Sequence, residues 1–244
     1  MWRVQMEQMG EQTEPAMPIV FVDAKDGSSN LRYDDLQHVA LKGDDQEAWD
    51  MKGGTRYSSA VLADSADATA NDAYVHAGLS LDDFAVAHNR DSFEGGGAVV
   101  KNYAHHERGY VNAFWNGGVL SYGDADGARS GPLVIPDIVA HELSHGVIDC
   151  IADLVYANES GALHEATSEI FAAAIEAAQP GATADDIWHI GEDCWNASPG
   201  YRRDMADPVS TGDHDYSLTR DTSTSDSGGV HWNSGIASLF FRLL

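Results

Sequence analysis

Apolar residues recur at helical spacing in the second half of the chain and much less clearly in the first. From Asp137 to about Asp153, Ile138, Val139, Leu143, Val147 and Ile151 mark a helix that Pro136 opens near its first turn. A second helix is predicted from about Ser160 to Ala178, stopped by Pro180-Gly181. After loop-rich sequence to about residue 230, Asn233-Ser234 can cap a third helix carrying Ile236, Leu239, Phe240, Leu243 and Leu244 at helical spacing. Its apolar face needs a partner, so either the chain is truncated there or earlier elements cover that face. Residues 1 to about 40 are polar and Glu-rich apart from one short strand, Ile19-Val20-Phe21-Val22, followed by the hairpin signal Asp26-Gly27. From about 41 to 100 the pattern is mixed and punctuated by Gly53-Gly54 and Gly95-Gly96-Gly97. The second run is no phosphate loop, because no Gly-Lys-Ser/Thr follows it. Residues 110–122 predict strand, turn and strand: Tyr110 to Trp115, Gly117-Gly118, then Val119 to Tyr122. Asp124-Ala125-Asp126-Gly127 lacks the remaining ligands of an EF-hand and reads as a tight turn. There are no internal repeats.

Composition narrows the class. With 43% hydrophobic and 9% aromatic residues, the 244-residue chain can build a real core and is no disordered tail or collagen. Lys and Arg number 14 against 39 Asp and Glu, a formal charge of -25. Such a surface repels phosphate backbones and anionic lipid, so no nucleic acid or membrane partner is expected. The skew suits a chain kept soluble in high salt, and equally an acidic secreted protein. Two cysteines, Cys150 and Cys194, exclude a disulfide scaffold and any four-Cys zinc site. They pair, or Cys150 is an inert buried thiol. No apolar run approaches the ~18 residues of a membrane span. The first residues lack the basic start and apolar stretch of a secretory signal. Either the protein stays inside the cell, or this chain begins partway through a longer precursor.

The chemistry concentrates in His141-Glu142-Leu143-Ser144-His145. Positions i and i+4 of a helix share a face, so both imidazoles can reach one metal ion, with Glu142 beside them for a nearby water. A catalytic zinc site needs a third protein ligand and an open position. The second helix offers Glu165, brought opposite the histidines by an antiparallel return. Glu169, one turn on, can accept the ring N–H of a ligating histidine. The bland alternative for Glu165 and Glu169 is a solvated helix stripe, which the flanking Gly161-Ala162-Leu163 and Ile170-Phe171-Ala172 argue against. Two His and one carboxylate with an open position point to zinc.

These residues, with Asn158-Glu159-Ser160-Gly161-Ala162 and Gly228-Gly229-Val230-His231-Trp232-Asn233-Ser234-Gly235, resemble the thermolysin family of secreted zinc metallopeptidases. Asn112-Ala113-Phe114-Trp115-Asn116-Gly117 and Arg203-Asp204-Met205-Ala206-Asp207-Pro208 match as well. The five blocks stand in the family's order and at nearly its spacing over roughly residues 75 to 244. The resemblance implies an α+β, two-lobed fold with an abbreviated β-rich N-terminal lobe and a truncated helical C-terminal lobe. It divides the chain into a propeptide-like tail (1–40), a β-rich lobe (41–136) and a zinc-binding helical lobe (137–244).

The resemblance also implies roles. His141, His145 and Glu165 would hold Zn2+, and Glu142 would be the general base. His231 would stabilise the oxyanion, with Asp226 orienting its ring and Tyr156 assisting. Asn112, the Ala113 carbonyl and Arg203 would hold substrate backbone. Asp137, Glu176 and Glu192 map onto a Ca2+ site in which Ile187 replaces a carboxylate that Asp185 or Asp186 would have to supply. His164 stands where the family has Asn and could hydrogen-bond His145. Arg202 stands where the family has an apolar residue in the pocket after the scissile bond, which removes the basis for expecting a bulky apolar preference. The implied partner is a peptide or protein substrate, cleaved outside the cell by a monomer made as a zymogen. The rival expectation is a zinc-binding but catalytically inactive fragment with a binding or structural role. A calcium-dependent adhesive module rests on acidity alone.

Overall fold

The computed structural model describes the strands Val20–Val22 and Ser29–Arg32 and residues 40–244. Strand β1 (Val20–Val22) pairs antiparallel with β2 (Ser29–Arg32). The Asp26-Gly27 turn expected between them lies outside the described residues.

Five short strands form the main sheet: β3 (Gln46–Asp50), β4 (Val61–Leu62), β5 (Val100–Ala104), β6 (Ala113–Trp115) and β7 (Leu120–Tyr122). Their order is β4-β3-β5-β7-β6, with β3–β5 and β5–β7 parallel and the two outer pairs antiparallel. The predicted strand–turn–strand is the β6–β7 hairpin, with Gly117 at φ 92° in its loop.

Helix α1 (Ala68–His88) crosses from β4 to β5 and packs on β3, β5 and α2. Asp67 caps it by accepting from Ala70 N–H, and Asn89 ends it in the left-handed region. The sequence pattern gave no helix here. The reason lies in the buried face, made largely of Ala70, Ala73, Ala77 and Ser80, with only Leu81 and Phe84 as large apolar residues.

Helices α2 (Pro136–Ile151) and α3 (Asn158–Ala177) pack against each other, and α3 packs on α5 (Asp226–Arg242). Both begin and end within two residues of where the pattern placed them. Val139, Ala140, Leu143 and Val147 of α2 join Phe84, Leu120, Tyr122, Ala172 and Ile175 in one continuous core. Gly161 permits the α3–α5 approach, since a Cβ there would stand 2.5 Å from Val230 Cγ1. The small elements α4 (Ala184–Trp188), β8 (His189–Ile190) and β9 (Arg203–Asp204) close the side of the helical layer.

Helix α5 departs from expectation. Asp226, Ser227, Gly228 and Gly229 adopt left-handed φ of 49°, 53°, 91° and 75° and form a kink at the start of the element, so the regular right-handed helix runs from Val230, three residues ahead of Asn233. Asn233 is therefore buried inside the helix, where it accepts from Asp221 N–H and donates to Asp221 O instead of capping. At its far end Phe241 and Arg242 lean on Trp188, while Phe240, Leu243 and Leu244 are exposed. Cys150 is exposed, Cys194 is buried and both are free thiols, so the two do not pair and Cys150 is not the buried thiol expected. Asp126 accepts from Ala128 and Arg129 N–H, the expected tight turn. Among the described residues no helix is long and apolar enough to cross a membrane.

Candidate active site

Helix α2 puts His141 and His145 one turn apart on the side facing α3, from which Glu165 projects. Their Nε2 atoms lie 3.0 Å apart, and those of His141 and His145 lie 3.4 and 3.6 Å from the two Glu165 oxygens. A tetrahedral zinc with bonds of about 2.0–2.2 Å spaces its ligand atoms about 3.3–3.6 Å apart, so the spacing suits such an ion. A buried partnerless atom points the same way: Glu165 Oε2 has no hydrogen-bond partner.

The tautomer of His145 follows from its surroundings. Ser168 Oγ donates to His164 O and stands 3.1 Å from His145 Nδ1, so the Nδ1–H donates to the hydroxyl oxygen. That leaves a bare Nε2 lone pair aimed at the ligand centre. Burial, then the neighbouring His141 charge, pull His145 down to about 3. Burial also works against the His141 cation, but Glu165 and Glu142 outweigh it and hold His141 at about 9. Burial opposes the Glu165 carboxylate too, and His141 overrides it, keeping that carboxyl well below the usual range. The buried Glu165 carboxylate thus draws one positive charge to this point, a role that a metal cation can fill.

Glu142 stands beside the ligands without joining them. Its Oε2 accepts the Trp115 backbone N–H of β6 at 2.9 Å. Burial pushes its carboxyl up to about 7 against the pull of His141, with Glu165 adding to the rise. On the opposite side, Tyr156 donates its hydroxyl to Glu165 and lies 3.3 Å from His231 Nε2. Asp226 holds His231 twice, at the ring Nδ1 (2.6 Å) and at the backbone N–H (2.8 Å). All of these line one cavity of about 710 Å³, together with Asn112, Ala113, Arg202 and Arg203.

Two expectations are corrected. Glu169 does not reach a ligating histidine. It is taken by Arg203 (3.0 Å) and by the hydroxyls of Ser234 and Ser238, and Ser168, one residue earlier, serves His145 in its place. His164 does not hydrogen-bond His145 either. Both its ring nitrogens are unpartnered, its ring packs edge-on against His145 at 4.8 Å, and Asp149 stands 3.8 Å away, beyond hydrogen-bond reach. Arg203, expected at substrate, also donates to His231 O (2.6 Å) and Ser234 Oγ (2.9 Å), so it braces the backbone under His231.

Away from the cleft, Asp137, Glu176 and Glu192 gather their carboxylates within 4.8 Å of one another. Asp137 accepts from Gly191 and Ile138 N–H, while Glu176 Oε2 and Glu192 Oε2 are buried without partners. Burial, reinforced by mutual repulsion, lifts Glu176 to about 9 and Glu192 to about 8. Asp186 does not join them, because its side chain accepts Thr183 N–H in the capping box of α4. A feature without a sequence signal is His105, at φ 57°, which sits between Asp124 (2.7 Å) and Asp67 (2.9 Å).

Known proteins place this arrangement. The thermolysin metallopeptidase catalytic domain matches residues 11–149, and the alpha-helical domain of the same family matches 152–244. A bacillolysin of Brevibacillus brevis is 37% identical over 259 residues, covering 91% of this chain and 47% of its own length. A thermolysin of Alicyclobacillus acidocaldarius subsp. acidocaldarius is 45% identical over 226 residues, 89% of this chain and 38% of its own length. The chain thus spans less than half the length of these relatives. The structure of a protealysin precursor, a metalloproteinase from Serratia proteamaculans, superposes with a TM-score of 0.73 at 29% identity, covering 85% of this chain and 70% of that one. The chain belongs to the thermolysin metallopeptidase family.

Proposed function

We propose that this chain is a zinc-dependent endopeptidase that hydrolyses peptide bonds with Glu142 as general base. The observation that carries the reading is the convergence of His141, His145 and Glu165 on one point, with Glu142 on one side and Tyr156 and His231 on the other. Zinc held by the three ligands would polarise the scissile carbonyl and bring water to ionise near neutrality.

Everything else is work for the side chains. Glu142, with a carboxyl near 7 and an oxygen anchored on Trp115, takes the proton of the attacking water and passes it to the leaving amine. Tyr156 directs its hydroxyl at the oxygen that gains charge; His231 holds Asp226 through Nδ1–H, turns Nε2 to the same point, and donates there when the ring is doubly protonated. Asn112, the Ala113 carbonyl and Arg203 position the substrate backbone along the cleft. No covalent intermediate forms. Replacing Glu142 with Gln should leave metal binding intact and abolish turnover; full activity in that variant overturns the reading.

The lobes 41–136 and 137–244 are the two cleft walls in this reading, and residues 1–40 the propeptide-like tail of a zymogen. Calcium at Asp137, Glu176 and Glu192 stabilises the fold, with carboxylates as the hard oxygen ligands it prefers. The protein acts as a secreted monomer on peptide or protein substrate. A second reading is a zinc-holding but catalytically inactive protein with a binding or structural role. A folded protein holding zinc without cleaving any peptide would favour it.

A further inference from the structure

The cleft wall contains one cation that the proposed chemistry leaves unused. Two arginines line the cavity, Arg202 and Arg203. Arg203 is buried and ion-paired to Glu169. Arg202 is exposed and has no ion pair within reach and no side-chain hydrogen bond among the described residues. Asp213, Glu169 and Asp226 act on it only through space. In a chain with 39 acidic and 14 basic residues, an arginine beside a cleft is the group most easily neutralised by a neighbour, yet this one is not.

Its position is fixed. The Arg202 N–H donates to Ile190 O at 2.7 Å, and its Cβ packs over Gly191, whose φ of 88° and lack of a side chain admit it. The guanidinium lies over the Trp195 ring, 5.9 Å from the centroid, which steadies a flexible side chain. Gly191 N–H is bonded to Asp137, and Ile138, next in the chain, precedes the ligand His141 by one helical turn. Ile138, Ile190, Leu133 and Trp195 line the same cavity. A recess with apolar walls and a free guanidinium therefore adjoins the metal-ligand centre.

We propose that this recess accepts an Asp or Glu side chain of the peptide, immediately next to the scissile bond, and that Arg202 is the residue that selects it. The proposal rests on the peptidase reading above. The carboxylate of such a side chain matches the guanidinium fork in shape and charge, and its methylene stem matches the apolar walls. Elsewhere the surface repels an acidic peptide, so attraction is confined to this point of the cleft.

The test uses quenched peptides identical except for Leu or Glu on either side of the cleaved bond, with zinc-loaded parent, Arg202→Leu and Arg202→Lys. The parent should favour Glu on one side by about five- to tenfold in kcat/KM, a partly exposed charge pair's worth. Arg202→Leu should reverse the order, Arg202→Lys should keep a weaker Glu preference, and the parent's preference should shrink as salt rises. Cleavage of the Leu peptides with no Glu preference, or a preference unmoved by Arg202→Leu, overturns the proposal while the peptidase reading stands. If no peptide is cleaved by protein holding zinc, the peptidase reading fails by itself. Binding of the uncut peptides, followed by fluorescence anisotropy, then decides: tighter Glu binding lost in Arg202→Leu supports the recess, and equal binding of Leu and Glu peptides overturns it.

Discussion

His145 and Ser168 meet across the α2–α3 interface at 3.1 Å, the serine hydroxyl facing the imidazole Nδ1. Because Ser168 Oγ already donates to the His164 carbonyl, the contact fixes which nitrogen of His145 carries the proton. The Nε2 lone pair that His145 offers to the proposed metal site thus depends on a residue outside that group.

Ser168→Ala should therefore weaken zinc about 10- to 100-fold, the usual cost of losing a partner that orients a ligand. Competition against a zinc-binding dye measures it. Ser168→Thr keeps the hydroxyl and should retain much of the affinity. Unchanged zinc affinity in Ser168→Ala would contradict the role.

Glu169 and Arg203 form an ion pair with side chains 2% and 10% exposed. Removing the carboxylate leaves a guanidinium buried without its charge partner, which costs about 3–5 kcal/mol. Glu169→Ala should lower the urea midpoint accordingly, and it should also loosen His231, whose carbonyl Arg203 holds. A change below about 1 kcal/mol would mean that Ser234 and solvent suffice for Arg203.

How far the sequence reaches shows in such pairs. Helix α2 was legible because Ile138, Val139, Leu143 and Val147 recur at helical spacing behind Pro136, and the end of α3 because Pro180-Gly181 stops it. The candidate metal-binding group was legible because His141 and His145 lie i, i+4 and Glu165 sits in an identifiable block. Helix α1 was not, because alanines and a serine supply most of its buried face and leave no hydrophobic stripe. The partner of Glu169 was misassigned because helical phase says which way a side chain points, not what arrives there. Arg203, Ser234 and Ser238 come from distant segments, the serines 65 and 69 residues along. His105 was missed for the same reason, with Asp124 and Asp67 at separations of 19 and 38 residues.

The group of Asp137, Glu176 and Glu192 predicts a pH signature. Glu176 and Glu192 have carboxyls raised by burial to about 9 and 8 from an ordinary 4.5. A raised carboxyl contributes stability that is present below the unfolded value and lost as pH climbs through the folded one. Without added calcium, thermal stability should fall from about pH 5 toward pH 9. Calcium should raise the melting temperature most at the alkaline end, and Glu176→Gln should abolish that response. A melting temperature indifferent to calcium at pH 8 would contradict the assignment.

His105 gives a second, separable pH dependence. The hydrogen bond to Asp124, then Asp67, hold it at about 9 against burial, from an ordinary 6.5. Its contribution is complete below about pH 6.5 and disappears as pH passes 9. Urea unfolding of the parent against His105→Gln should show a deficit of about 1–2 kcal/mol at pH 6, discounted for partial exposure, and little at pH 10. An equal deficit at both pH values would make the contact one of packing alone.

The most direct test is peptide cleavage by the zinc-loaded chain beside its Glu142→Gln counterpart, with zinc content measured on both. Parent cleavage, and about one zinc in each protein with turnover reduced at least about a hundredfold in the variant, is the predicted result. Cleavage at the parental rate by Glu142→Gln, or none by a folded parent holding zinc, would contradict a peptidase driven by Glu142.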